Sequence, residues 1–239
     1  MRLRPSGESG PIASSLAAFG QYQRESAWTW EHMALTRARP IAGDAALCEG
    51  IRAAIAAALS ARRDPTELVA DVADMRQRIA ASVPRPSPWD LRNRRGGLID
   101  LEFTVQYLML REASHAPQVL CRDAGAALDA LGAAGILPPQ AVHELGEALA
   151  LLRHLRQLLA LLFDGVPDAK ALAGPVGITL ARCAGAVDFP RLESDMTAAC
   201  GRVRAWYDRL IGRPARLAAR SAARRPAQSR DNTTGERAR

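Results

Sequence analysis

The sequence is short of lysine and of long apolar runs. Lys170 is the one lysine among 32 lysine and arginine residues, a bias that fits genome composition better than a particular chemistry. The most apolar stretch, residues 149–163, is interrupted by Arg153, His154 and Arg156, and it is shorter than the ~20 residues that a membrane-spanning helix needs. The N-terminus lacks an apolar segment followed by a small-residue cleavage site. These absences favour a cytoplasmic protein without a membrane partner.

Cysteine and histidine form no recognisable metal or disulfide pattern. None of the cysteines is paired at C-x-x-C spacing or has a histidine in ligand register, so zinc and disulfide interpretations are both weak; the four are Cys48, Cys121, Cys183 and Cys200. We expect free, mostly buried thiols. The histidines also lack spacing suited to a metal or a catalytic triad, and we expect structural or exposed side chains; they are His32, His115, His143 and His154.

The net charge of +7 is concentrated at the C-terminus. Residues 213–239 contain eight arginines against Asp231 and Glu236, a net of +6, which leaves only +1 for residues 1–212. This Arg-rich tail has few large apolar residues, which is typical of disorder. A solvated, dispensable extension is the preferred interpretation, and an arm that binds a polyanion is the alternative; a nucleic-acid partner is not favoured.

Periodic apolar residues predict a mainly α fold. Asp64 and Pro65, followed by Glu67, have the pattern of a helix N-terminus, and apolar residues then recur every three or four positions. Other helices are predicted over 15–24, 28–37, from 44 to Asp64, from 98, over 122–134 and 139–163, and from 188 to 210, where Gly212, Arg213 and Pro214 predict a helix end.

Residues 83–95, with three prolines and a cluster of arginines, predict a linker or a long ordered loop. We therefore divide the chain into a first part over 1–82, a loop over 83–97, a C-terminal helical bundle over 98–212 and the tail over 213–239. Within α-helical segments, Asp71 and Asp74 are expected on a solvated face.

The opening MRLRPSGESG predicts one edge strand and a turn. Arg2 and Arg4 flank Leu3, so in a strand both guanidinium groups lie on one face. The following turn, residues 6–10, contains two glycines that let backbone N–H groups approach an anion. Together these features indicate half of a phosphate-binding site.

Three blocks of this sequence form an ordered set of motifs. The first is MRLRPSGESG with Tyr22-Gln23; the second is AWTWEHMALTRAR followed by Ala42-Gly43-Asp44; the third is RGGLIDLEFTVQYLMLR, residues 95–111. Together they resemble bacterial glutamine synthetase adenylyltransferase, in its adenylyl-transferring half. The resemblance implies a nucleotidyltransferase fold, of which this chain would hold the remnant edge of the palm, one or two short strands, followed by helices and a helical bundle.

In that family a strand with D-x-D and a third carboxylate hold two Mg²⁺ ions. The D-x-D pattern is absent from the 239 residues, and by resemblance the third carboxylate would stand immediately before Met1. We therefore expect a chain that begins partway through the enzyme, with no catalytic residue or metal site of its own and no tight binding of MgATP. Asp100 and Glu102 are not expected to replace the missing acids, because residues two apart on a helix diverge.

The resemblance implies two sets of site residues. Candidates for binding nucleotide phosphates, through arginine forks and turn backbone, are Arg2, Arg4, Ser6, Gly7, Gly10, Arg37 and Arg39. Family-motif residues with an expected structural role are Trp28, Trp30, Glu31, Gly96, Gly97, Asp100, Glu102 and Gln106. Trp28 is expected in the core, and Asp100 and Glu102 in capping or interhelical polar contacts.

By resemblance, the complete enzyme would transfer AMP from MgATP to a tyrosine of glutamine synthetase, with removal by phosphorolysis in its other half. The expected partners are glutamine synthetase and the PII signalling protein. Two alternatives remain open: a non-catalytic helical module that binds either partner, and nucleic-acid binding through the tail.

Overall fold

The computed structural model describes residues 13–83 and 87–224, and within those ranges every regular element is helical. The mainly α prediction is confirmed. The predicted opening strand, with Arg2, Arg4, Ser6, Gly7 and Gly10, lies outside the described residues. The elements are α1 (Leu16–Glu25), α2 (Thr29–Leu35), α3 (Ala45–Leu59), α4 (Pro65–Ser82), α5 (Leu98–Glu112), a 3₁₀ turn (Pro117–Val119), α6 (Ala124–Ala133), α7 (Pro139–Leu162), α8 (Pro175–Cys183), α9 (Phe189–Tyr207), a π-helical turn (Asp208–Gly212) and α10 (Arg213–Arg224).

Aspartate caps fix several helix starts. At the predicted start of α4, the Asp64 carboxylate accepts hydrogen bonds from the backbone N–H groups of Thr66 and Glu67, at 2.8 and 2.9 Å. These bonds hold the pKa of Asp64 below its ordinary value. The carboxylates of Asp44, Asp123 and Asp188 cap α3, α6 and α9 in the same way.

The predicted disordered tail is wrong for residues 213–224. Instead of ending at Gly212, the chain passes through the π-helical turn and continues as α10, which packs against α4. Pro214 does not prevent this; it is the second residue of α10, directly after the π-helical turn. The remainder of the tail lies outside the described residues.

The core surrounds α5. This helix is buried on almost every side, with Glu102, Arg111 and Glu112 as its less buried positions, and helices of this kind need neighbours all round. It packs against α2, α4, α6, α7 and α9. All four cysteines are free thiols but only Cys200 is buried, so the expectation of mostly buried thiols is wrong. None of the described helices is both long and apolar enough to cross a membrane.

Residues 87–97 form an ordered loop. The sequence predicts either a linker or a long ordered loop here, and the structure shows the loop. Trp89 and Leu91 are each 2% exposed, and the Trp89 ring stacks on Phe189 with centroids 5.5 Å apart. The Ser87 hydroxyl donates to the Pro167 carbonyl at 2.8 Å. Since α4 before the loop packs on α5 and α10 after it, helices from both sides share one core. The domain boundary at 83–97 stays a prediction.

Two glycines end this loop and admit no side chain. Gly96 has a φ of 76°, and a Cβ placed there would lie 2.0 Å from the backbone oxygen of Cys200 in α9. At Gly97 a Cβ would lie 2.6 Å from the backbone oxygen of Leu91. The double glycine therefore lets the loop pass close to α9 and enter α5 directly.

Substituting Gly96→Ala is expected to lower the free energy of unfolding by at least ~2 kcal/mol, from left-handed strain and overlap with Cys200. Urea denaturation measures this change in the free energy of unfolding. Gly146→Ala is the control, because a Cβ in this interior position of α7 meets nothing within 4 Å, and it is expected to gain up to ~1 kcal/mol. Equal effects of the two substitutions would contradict the steric argument.

Candidate functional site

The first two motif blocks pack against each other. The Tyr22 hydroxyl donates to the Glu31 carboxylate at 2.9 Å, and the Trp28 backbone N–H donates to the same carboxylate at 2.9 Å, closing the start of α2. His32 donates from Nε2 to the Gln23 backbone carbonyl at 3.0 Å. Burial is the main cause that lowers the pKa of His32. These contacts lock α1 onto α2.

Trp28 is not a core residue, and that expectation is wrong. Its side chain is 70% exposed and lies at the edge of a cavity of about 690 Å³ between α2 and α4, together with Trp30, Met75 and Ile79. Trp28 stands at the N-cap of α2, with backbone rather than indole engaged in the cap. We call this cavity the tryptophan groove. Asp71 and Asp74, exposed as predicted, lie along it.

Arg37 and Arg39 follow α2 and line two small adjoining cavities, Arg37 the first and Arg39 the second. Arg37 Nη1 lies 3.6 Å from Glu102 Oε2 on α5. The second cavity, lined by Arg39, has a volume of about 280 Å³, and its other charged side chains are Arg52 of α3 and Arg122. Thr36 and Arg122 belong to both cavities. We call the joined feature the arginine cleft; its arginines are Arg37, Arg39, Arg52, Arg122 and Arg153.

Carboxylates neutralise some of these arginines and leave others unpaired. Arg52 pairs with Glu49 at 3.0 Å, and Arg153 pairs with Asp123 at 2.9 Å. The pKa of Asp123 is lowered by the Ala126 backbone N–H and by Arg153. Among the described residues, Arg39 and Arg122 have no carboxylate partner, and both are exposed.

The arginine cleft has the chemistry of an anion site. Guanidinium groups present planar forks that match phosphate or carboxylate oxygens, and part of the cleft wall is apolar, formed by Ile55, Leu59 and Leu120. Two unpaired cations over such a wall can bind one anionic group and orient it. In the part of the chain that the structure describes, no group of three or more histidine, cysteine, aspartate or glutamate side chains converges as a metal site would require.

Sequence reasoning identified two of these five arginines. The other three come from α3, from the segment before α6 and from α7, and no common motif or spacing links them. Glu102 and Gln106 of the third motif block lie in the cleft wall. Pairing between Arg37 and Glu102 thus brings the second and third blocks together, which their separate positions in the sequence did not reveal.

Asp100 lies at a different place from Glu102. It is 0% exposed and forms an ion pair with Arg76 of α4, which is also 0% exposed. Asp100 Oδ2 accepts the Gly96 backbone N–H. Arg76 also donates from Nη2 to the Asn93 carbonyl at 2.9 Å. This buried pair connects α4, the loop and α5, so the two acids of D-L-E serve separate partners.

Arg95 extends the buried pair to the surface. Its Nη1 lies 3.8 Å from Asp100 Oδ1, and its Nη2 lies 3.7 Å from Asp208 Oδ1 in the π-helical turn. The same guanidinium sits over the Tyr207 ring, 5.2 Å from the centroid. Burial, followed by the negative charge of Asp100, raises the pKa of Tyr207 to about 12.

Replacing Asp100 by Asn is expected to cost about 3–5 kcal/mol of unfolding free energy, because it leaves the Arg76 charge buried without a counter-ion. Thermal and urea unfolding provide the measurement. The matched control is Asp74→Asn, which breaks an exposed pair with Arg78 at 2.8 Å and is expected to change stability by less than ~0.5 kcal/mol. A difference under ~1 kcal/mol between the variants would count against the buried pair.

Stability is also expected to fall at high pH through Tyr207. A folded pKa of about 12 exceeds the ordinary value near ~10. The fold therefore favours the neutral phenol. The contribution of this preference to the free energy of unfolding is complete below pH ~10 and is lost as the pH rises towards ~12. The free energy of unfolding is measured at both pH values for the wild-type chain and for Tyr207→Phe. We expect it to decline less in Tyr207→Phe. Parallel declines would contradict this.

Two family models match separate parts of this chain. Residues 1–53 match the model described as Glutamate-ammonia ligase adenylyltransferase. Residues 73–196 match the model described as GlnD PII-uridylyltransferase. The first match contains Arg37 and the second contains Glu102, so the ion pair that closes the arginine cleft joins the two matched segments.

Curated relatives align with most of the chain. A bifunctional glutamine synthetase adenylyltransferase/adenylyl-removing enzyme from Xanthobacter autotrophicus is 39% identical over 211 residues, 88% of this chain and 21% of the relative. The enzyme of the same name from Bradyrhizobium diazoefficiens is 40% identical over the same shares. The one from Agrobacterium fabrum is 44% identical over 202 residues, 82% of this chain and 20% of the relative.

The chain thus spans about a fifth of the length of these relatives. The match extends across the first helices, the arginine cleft and the helical bundle, and the second family model alone covers more than half of the chain. The chain therefore belongs to the family of the bifunctional glutamine synthetase adenylyltransferase/adenylyl-removing enzymes.

Proposed function

We propose that this chain forms part of a cytoplasmic enzyme that transfers AMP from MgATP to a tyrosine of glutamine synthetase and removes it by phosphorolysis elsewhere. The PII signalling protein is the proposed regulatory partner. The observation that carries this proposal is the ion pair between Arg37 and Glu102, which closes an anion-binding cleft between the two segments that match nucleotidyltransferase family models.

The proposed task of the arginine cleft is to hold the phosphates of the nucleotide. Arg39 and Arg122 supply unpaired guanidinium groups that contact phosphate oxygens and offset the charge that develops on the departing pyrophosphate. Glu102 holds Arg37 at the rim, so its fork is oriented before substrate arrives. Arg2, Arg4, Ser6, Gly7 and Gly10, which lie outside the described residues, are proposed to bind nucleotide phosphates as well.

The residues of this chain do not fit the magnesium ions of such an enzyme. Mg²⁺ takes oxygen ligands, chiefly carboxylates and phosphates, and the sequence has no D-x-D pattern. Asp100 is committed to Arg76 and Glu102 to Arg37. We propose that the carboxylates belong to a part of the enzyme beyond these 239 residues, and that this chain alone does not transfer AMP.

A second candidate function is docking without chemistry, as a helical module that binds glutamine synthetase or the PII protein. The tryptophan groove favours it, because Trp28 is exposed beside Trp30 and Met75 and partially exposed aromatic residues are enriched where proteins bind each other.

The test is AMP transfer from radiolabelled MgATP to purified glutamine synthetase. This chain is compared with the same chain extended N-terminally by the D-x-D segment of a relative. Only the extended form is expected to label its target. In that form, Arg39→Gln and Arg122→Gln are each expected to lower kcat/KM by roughly tenfold or more, from lost phosphate contacts. The matched control is Arg62→Gln, an exposed arginine outside the cleft, with unchanged kcat/KM.

Labelling by the 239-residue chain alone would show that the metal-binding residues lie within it. Unchanged kcat/KM for both cleft variants would remove the arginine cleft from the proposal while leaving the family assignment intact. Retention of glutamine synthetase by the chain without labelling, lost in Trp28→Ala, would favour the docking function instead.

A further inference from the structure

α10 carries a one-sided row of arginines. Arg213, Arg216 and Arg220 recur at intervals of three and four along this helix, which places them on one face. All three are exposed. From Arg209 to Arg230 the sequence has no aspartate or glutamate. We call Arg213, Arg216 and Arg220 the arginine row.

α10 packs on α4. Ala215 of α10 and Ala73 of α4 pack on the core, and both line a cavity of about 460 Å³ that is also lined by Arg216. α10 is therefore held to the core on the side of Ala215, and Arg216 lies beside this contact. The arginines are consequently fixed on the outside rather than distributed over a flexible chain.

Nearby acids are already committed to other arginines. Asp74 of α4 pairs with Arg78 at 2.8 Å, and Asp208 pairs with Arg95 at 3.7 Å and Arg204 at 3.8 Å. Among the described residues, no carboxylate forms an ion pair with the arginine row. Asp74 and Asp208 line the same cavity as Arg216, but neither forms an ion pair with it, so the row keeps a net positive charge.

We propose that the arginine row is a sequence-independent contact site for the phosphate backbone of a nucleic-acid duplex. Three arginines over eight residues span about 10 Å of helix axis, comparable to the distance over which one DNA strand presents about three phosphates. Each guanidinium fork can contact a phosphate directly. The proposal does not depend on adenylyl transfer.

The surroundings of the row favour a duplex over other anionic partners. A helix that inserts into a membrane surface needs a free apolar face, whereas α10 packs on α4 and has few large apolar side chains. Single-stranded nucleic acid is bound largely by aromatic stacking, and α10 has no aromatic residue. A protein partner usually needs a buried apolar or aromatic centre, and Leu217 is the one large apolar side chain of α10.

The test is fluorescence anisotropy of a labelled mixed-sequence DNA duplex of about 30 bp, titrated with the full 239-residue chain between roughly 50 and 200 mM salt. Binding is expected to weaken steeply with salt. The triple variant Arg213→Gln/Arg216→Gln/Arg220→Gln is expected to bind at least tenfold more weakly, with the slope of log K against log salt reduced by up to about 2.7, near 0.9 for each lost contact.

The matched control removes three exposed arginines elsewhere, as Arg62→Gln/Arg182→Gln/Arg191→Gln, and is expected to keep the wild-type slope. Circular dichroism of all three proteins establishes equal folding. Equal affinity and slope for both triple variants would overturn the proposal. It would also be overturned if polyglutamate or phosphatidylserine vesicles bound the row as tightly as the duplex, since that outcome identifies a general anion surface.

Discussion

The arrangement of the helices depends on one buried ion pair, between Arg76 of α4 and Asp100 of α5. Two charges without exposure to solvent are stable only when each has its partner and further hydrogen bonds. The loop supplies those bonds from Asn93 and Gly96. Helix, loop and helix are therefore held in one geometry, and the entry of α5 into the core follows from it.

Much of the fold could be predicted because its signals are local. Apolar periodicity and the Asp64 cap predicted α4, and similar patterns predicted most other helices close to their observed bounds. α10 was missed since its composition resembles a disordered tail; what orders it is the fit of small alanines against α4, which no local pattern reports. Gly212 and Pro214 were interpreted as a stop, but a π-helical turn carries the chain past them.

The candidate site was less predictable than the fold. Arg37 and Arg39 were found through a motif, whereas Arg52 and Arg122 reach the cleft only because α3 and the segment before α6 fold beside α2. Trp28 shows the opposite error, since a large aromatic side chain suggests a core position and the helix cap holds it outside. Contacts between distant segments decided the first outcome, and a local helix cap decided the second.

The π-helical turn has a geometric consequence for the surface. A π-helical turn contains about one residue more than an α-helical turn, and one residue corresponds to about 100° of rotation around an α-helix. Its five residues, Asp208–Gly212, therefore set the rotational phase of α10 relative to α9. Without that extra residue, α10 would be rotated by about 100° and would present a different set of side chains to α4. The length of one helical turn thus determines which chemistry this end of the molecule exposes.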